Sequence, residues 1–512
     1  MRTSVVTSFF FFILTLNLSC YSQEINDPTT EIEVPHYSPT SKEDYWFNNS
    51  SKNHWRTIRE NSTFIIERLN DTFDSQEIYT IDTPAGYYRK SYWFNQSTET
   101  FYACFTKGAN YQFLRYNLTE NNRTLIEGIV EEDLSIDKIH WGENTVYSKV
   151  RNKWGLKGFD LIFDFNTIKP HKVHLSETCS NYFEEGGMKW VLSYSSTNFS
   201  AFGSSLKYSY RLNQLNDQFQ VIHSFPIETE LARIENIKWN IEDGEISICG
   251  LTKYSKNSLN TRWGILAVTA SQEQIAQNHL WVTDIDEVFD CLSVDERQKS
   301  NNLLRRDKLK DKGKHYNISP YVLSFSNTAR TESGLHIALD FAEPHEEWEE
   351  PFGINDEGRW VIEEYRHQSA VILTFNDDLS LINASSINME VGVLGSIFGW
   401  LAWDDQLSKK PITKKNKSAL RLFTHNGELV SACRYENFIS MQYFTSSQII
   451  TKYFKINDRF PERKDVKSVR WQGAHYLTED TIILESLLKL KGKKNYSTNL
   501  RVIELTNERT PD

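Results

Sequence analysis

The stretch "IENIKWNIEDGEISICGLTKY" (234–254) decides the fold. Ile234, Ile237, Trp239 and Ile241 mark one strand, and Ile246, Ile248 and Leu251 mark a second. Between them, Asp243-Gly244 offers the positive φ that a two-residue hairpin turn needs. A polar loop, "SKNSLN", then leads to a third run, "TRWGILAVTAS". Trp239 also has counterparts upstream. Trp93, Trp141 and Trp190 precede it at steps of 48, 49 and 49 residues. Each is followed by the same order of short strands, as in "SYWFN-QSTE-TFYACFT" and "KIHWG-EN-TVYSKV".

Later segments continue the pattern. "GLHIALDFA" goes with "SAVILTFN", "FGWLAWD" with "SALRLFTHNG", and "VRWQG" with "NLRVIELT". Seven units can be marked. The earlier "STFIIERLND" belongs either to an eighth unit or to a strand that completes the last. Repeats of 40–50 residues with three or four strands each are the sequence signature of β-propeller blades. A single small sheet leaves both faces bare, whereas radial stacking buries the faces and leaves only short edges. The expectation is an all-β propeller of seven blades, six to eight being compatible, over residues 45–512. The repeated tryptophans are expected to pack between sheets.

"DIDEVFDCL" (284–292) breaks the β pattern, because Ile285, Val288, Phe289 and Leu292 share a helical face. Ser293 and Glu296 form a candidate capping box opening "RQKSNNLLRRDKLKDKG", so a helical insertion over 284–312 is predicted. The first 22 residues, with Arg2 and the apolar "SVVTSFFFFILTLNLS", have the form of a signal peptide. Two processing routes fit it. One is lipid modification at Cys20; the other is cleavage after Ser22, which Asn17 favours over the lipoprotein pattern. Residues 23–44 are polar, carry three prolines and read as a linker. The chain is therefore expected to be exported to the periplasm, the outer surface or the medium. Five cysteines remain beyond Cys20, spread widely, and read as small buried apolar residues.

This order of features resembles a group of exported β-propeller proteins of uncharacterised function from Gram-negative bacteria. The features are a leader, Trp- and Gly-marked hairpins, a charged helical insertion and the long hairpin "GLHIALDFAEPHEEWEEP…EEYRHQSAVILTFNDD". The likeness covers most of residues 85–505 in pattern. It implies fold and export and carries no catalytic residues across.

The chemistry is less legible. Formal net charge is -11, and an acidic chain is a poor partner for nucleic acid. Neither a WD-repeat signature nor a kelch glycine signature is present in good form, and "NDEGRW" (355–360) reads as a hairpin turn rather than a sialidase-type Asp-box. No nucleophile elbow, zinc-protease or phosphate-loop motif is present. The acidic "AEPHEEWEEP" (342–351) reads as a solvated hairpin tip, and no metal or cofactor is expected.

Three basic stretches stand out as candidate ligand-binding loops. "RNKWGLK" holds Arg151, Lys153 and Lys157. "KKPITKKNK" holds Lys409, Lys410, Lys414, Lys415 and Lys417. "KLKGKK" holds Lys489, Lys491, Lys493 and Lys494. All three are expected between second and third strands, hence on one rim, where they would focus positive potential on an anionic polysaccharide or an envelope protein. The reading is a monomeric, non-catalytic binding or scaffold module. The alternative is a polysaccharide lyase or hydrolase with its site at the propeller axis, since the fold alone does not choose.

Overall fold

The computed structural model describes residues 30–504 apart from short segments, the longest being 350–358, 393–407 and 456–465. The described residues form eight antiparallel sheets built on four strands each, those four being consecutive in every sheet but the last; one of the eight gains a short fifth strand, and a two-residue pair stands apart. In chain order the eight occupy 42–82 (sheet 1), 88–129 (sheet 2), 134–173 (sheet 3), 178–227 (sheet 4), 233–281 (sheet 5), 322–388 (sheet 6), 420–455 (sheet 7) and 466–504 (sheet 8). The protein is a β-propeller, with its sheets at the upper end of the expected six to eight. "STFIIERLND" supplies the third strand of sheet 1, Thr63–Leu69. Sheet 8 is completed from the other end of the chain, where Thr30–Pro35 pairs with Tyr496–Glu504, Thr30 opposite Val502. Those six residues lie in the stretch expected to be a linker. Their alternation in "TEIEVP" already suits an edge strand, and Pro35 sits at the end of that strand, opposite Ser497, an edge position where proline is tolerated.

Neighbouring sheets meet face to face. Trp55 and Phe64 of sheet 1 pack with Phe94 and Phe101 of sheet 2. Phe113 of sheet 2 packs with Val146 and Phe163 of sheet 3. Tyr147 of sheet 3 meets Tyr182 of sheet 4, and Trp190 of sheet 4 meets Ile248 of sheet 5. Sheets 5 and 6 share a core with the insertion, through Cys249, Val288 and Phe341. Sheets 6 and 7 join through Ile372 and Leu422. The fourth strands are the most exposed, which sets them at the outer rim.

The hairpin that decides the fold behaves as expected. Glu242 opposes Glu245, and Gly244 has φ +87. The tryptophans do not all fall on equivalent positions, however. Trp93, Trp141 and Trp239 lie on the first strands of sheets 2, 3 and 5, but Trp190 lies on the second strand of sheet 4. The position that does repeat is set by a β-bulge in each first strand, at Arg89/Ser91, Ile136/Lys138, Cys179/Asn181 and Ile234/Asn236. Three residues beyond it come Phe94, Trp141, Glu184 and Trp239. Each of the four reaches back to the preceding sheet. Phe94 meets Trp55, and Trp239 meets Phe183. Trp141 Nε1 donates to Ser91 Oγ at 3.0 Å, and Glu184 accepts from Thr145.

The insertion is helical, as expected. A 3-10 turn (Val282–Asp284) and a short helix (Val288–Cys291) bury Val282, Ile285, Val288 and Phe289. A longer helix, Glu296–Lys310, follows. Its cap is Asp295, whose carboxylate accepts from Gln298 N at 2.7 Å, rather than Ser293. Ser293 instead accepts from Asn302 Nδ2.

Candidate functional site

Sheet 3 carries a break in its apolar alternation. On its second strand, Thr145–Asn152, Val146 and Val150 face sheet 2, so Tyr147, Lys149 and Arg151 face sheet 4. Lys149 lies opposite Lys138 on the first strand and Asp160 on the third. It is only 8% exposed. Burial holds its ammonium below the usual lysine range; Asp160 pulls the other way, and Arg151 and Lys138 reinforce the lowering. Below it, burial raises the Tyr147 hydroxyl, with Cys179 and Asp160 adding to the shift. The Cys179 thiol, from the first strand of sheet 4, is pushed up to about 12 by burial and is not a nucleophile at neutral pH.

Lys149 and Asp160 border a crevice of about 910 Å³. It opens at the sheet end where first and third strands begin and second and fourth strands finish. Lys149, Arg151, Asp160 and Thr178 line it, together with Glu131 and Asp133 from the link into sheet 3 and His174 and Glu177 from the link into sheet 4. Lys172 also lines it, and its Nζ is held 4.7 Å from the Phe159 ring. Three cations and four carboxylates thus line the same crevice, so it offers both donors and acceptors. Asn152 and Gly158 bound the loop on the crevice lip, and Trp154 on that loop is 76% exposed.

Of the sequence candidates, the structure brings Arg151 to the crevice. Lys153 and Lys157 fall on the lip loop but outside the described residues. Lys489 lies within the strand Thr481–Leu490, opposite Tyr496, and Lys491, Lys493 and Lys494 lie outside the described residues. "KKPITKKNK" is not a loop between second and third strands. Sheet 7 begins at Leu420, so this stretch is part of the link from sheet 6. Its Lys409 belongs to a two-residue strand opposite Val391. Lys410, Lys414, Lys415 and Lys417 lie outside the described residues, as do the leader, Cys20 and most of "NDEGRW". The acidic stretch 343–349 is not a tip but the continuation of a strand, Gly334–Glu349.

Sequence reasoning passed over Lys149, Asp160, Lys172 and His174. Only Lys149 and Asp160 left a signal, as charged residues at inward positions of otherwise apolar strands in "TVYSKV" and "GFDLIFDF". The five cysteines Cys104, Cys179, Cys249, Cys291 and Cys433 are buried, and no disulfide joins them. Cys104 and Cys249 occupy second strands of non-neighbouring sheets, as the repeat implies.

No protein-family model matches the chain, and no characterised sequence matches it significantly. Among solved structures, it is similar to an oligogalacturonate lyase from Vibrio parahaemolyticus at 9% identity and TM-score 0.36, covering 83% of this chain and 91% of that one. The polysaccharide lyase Uly1 is similar at 11% identity and TM-score 0.34, covering 83% and 90%. The β-propeller domain of the Trilobed protease from Pyrococcus furiosus is similar at 8% and TM-score 0.31, covering 83% and 96%. Likenesses this weak say nothing about which residues act, or on what.

Proposed function

We propose that the protein recognises a polysaccharide in the crevice between sheets 3 and 4, with acidic sugars preferred. The observation that supports this reading is the pairing of Lys149 and Arg151 on one wall of an open polar cavity. A sugar offers hydroxyls to carboxylates and cations, and a uronate or sulfate group finds a charge-assisted partner in Arg151. The exposed indole of Trp154 on the lip suits the apolar face of a pyranose ring. The leader-like residues 1–22 support export, which would bring the protein to such polymers.

A second reading has a specific observation behind it: the crevice cleaves what it binds. An amine held below its ordinary range by burial gives up its proton more readily than an exposed lysine, and Asp160, Glu131 and Glu177 are carboxylates beside it. In this reading Lys149 is the base, and the site lies between two sheets rather than at the axis.

Affinity electrophoresis against uronate-rich, sulfated and neutral polysaccharides, with a parallel assay for new reducing ends, tests both readings. Retention by acidic polymers that weakens with salt is expected. Loss of one charge-assisted contact in Arg151→Ala should weaken binding about tenfold. Retention unchanged in that variant removes the crevice as the site. New reducing ends that vanish in Lys149→Met establish cleavage, and their absence on every retained polymer leaves binding alone.

A further inference from the structure

Sheet 6 differs from the others in length. Its second and third strands, Gly334–Glu349 and Arg359–Phe375, run 16 and 17 residues. The fourth strand, Leu381–Asn388, follows the third only as far as Ser369. Beyond that point a two-stranded arm continues outward, with Glu343 opposite Arg366 and Glu349 opposite Arg359. It projects from the same sheet end as the crevice, because loops between second and third strands share that end.

The arm is acidic. Residues 342–349 and 359–367 hold Glu343, Glu346, Glu347, Glu349, Glu363 and Glu364 against Arg359 and Arg366. Its outer ladder edge, past the end of the fourth strand, is taken by another piece of this chain: Ile412 pairs with Arg366 and Thr413 with Tyr365. Those two residues sit inside "KKPITKKNK", which has five lysines and no acid. Pro411 precedes the pair, and an edge strand is where a proline fits. Among the described residues, Arg359–Glu364 has no second strand partner.

We infer that the acidic arm of sheet 6 is the docking edge for the chain's own lysine-rich segment 410–417, held there as an added strand. Main-chain pairing sets the register and opposite charge favours this occupant. On this inference Lys410, Lys414, Lys415 and Lys417 meet an internal polyanion before any external one, and an anionic polymer must compete with the arm for them. This does not depend on the crevice.

Limited trypsin digestion of the full chain tests it without any ligand, by following cleavage within 410–417. At low salt cleavage should be slow. It should rise about fivefold or more at high salt, because exposed charge pairs are screened and the strand is released more often. At low salt, Glu346→Gln/Glu364→Gln should raise it as salt does, and Ile412→Pro, which removes the N–H needed for pairing, should raise it at every salt concentration. Cleavage that is equally fast in all these cases overturns the inference. A salt effect with no effect of either variant also overturns it, since the arm would not be what holds the segment.

Discussion

Trp190 and Trp239 are 49 residues apart in sequence and differ in role. Trp190 is 0% exposed, packed on a second strand, whereas Trp239 is 39% exposed on a first strand. Trp190→Ala should cost about 3–5 kcal/mol in chemical denaturation, and Trp239→Ala distinctly less. Equal losses would mean that exposure is not what separates them. Glu184 occupies the position that is tryptophan in sheets 3 and 5. Its Oε2 accepts from Thr145 Oγ1 at 2.5 Å and Thr145 N at 3.1 Å, tying sheet 4 to the first turn of sheet 3. Gly142 makes room for it, since a Cβ there would stand 2.1 Å from Glu184 Oε2. Gly142→Ala should therefore destabilise by about 1–3 kcal/mol through overpacking. Burial raises the Glu184 carboxyl above its ordinary range. The fold thus holds this proton more tightly than the unfolded chain does, so the group's contribution is full below the ordinary carboxyl range and is lost as pH rises through the raised value. Urea midpoints of wild type and Glu184→Gln should diverge toward neutral pH, the variant being the more stable; parallel curves would disprove the assignment. The 49-residue rhythm showed that a repeat existed. It could not show which residue was equivalent to which, because a bulge and unequal loops set the register.

Among the elements, the helix Glu296–Lys310 is unusual in burying no residue. Ion pairs hold it to the stretch before it: Lys299 with Asp290, Arg306 with Asp286, and Lys310 with Asp284 at 3.9 Å. Asp284 in turn pairs with Arg262 at 3.0 Å, whose guanidinium lies 4.1 Å from the Trp281 ring. Surface pairs of this kind contribute little singly and are screened by salt. Hydrogen exchange at 296–310 should speed up with added salt, while the strands of sheet 5 stay protected; a salt-independent pattern would mean that apolar contacts hold the helix. The helix itself was legible from the capping-box pattern of Ser293 and Glu296 that opens it, although Asp295 is the residue that caps it. Its attachment was not, because the sequence does not show which acids face which bases. The crevice is a stronger case. Lys149, Asp160, His174 and Glu131 come from two strands and two links, and only sheet pairing brings them together.

In the whole molecule, the ends of the chain meet in one sheet. Thr30–Pro35 covers the edge of Tyr496–Glu504, which would otherwise present a row of unpaired N–H and C=O groups. A chain lacking residues 30–35 should unfold at lower temperature and scatter more light on standing; a full-length-like midpoint would show that this strand does not secure the sheet. The same arrangement orders events in time. Sheets 1 to 7 are each built from neighbouring stretches, so each can form as its own residues become available. Sheet 8 cannot, since its outer strand precedes sheet 1 in the chain and its other three follow sheet 7. Sheet 8 therefore waits until residues 466–504 are available and requires the longest loop closure among the described sheets. A prematurely terminated chain would hold finished sheets and one permanently open seam, a form that quality-control proteases can recognise without reading any sequence.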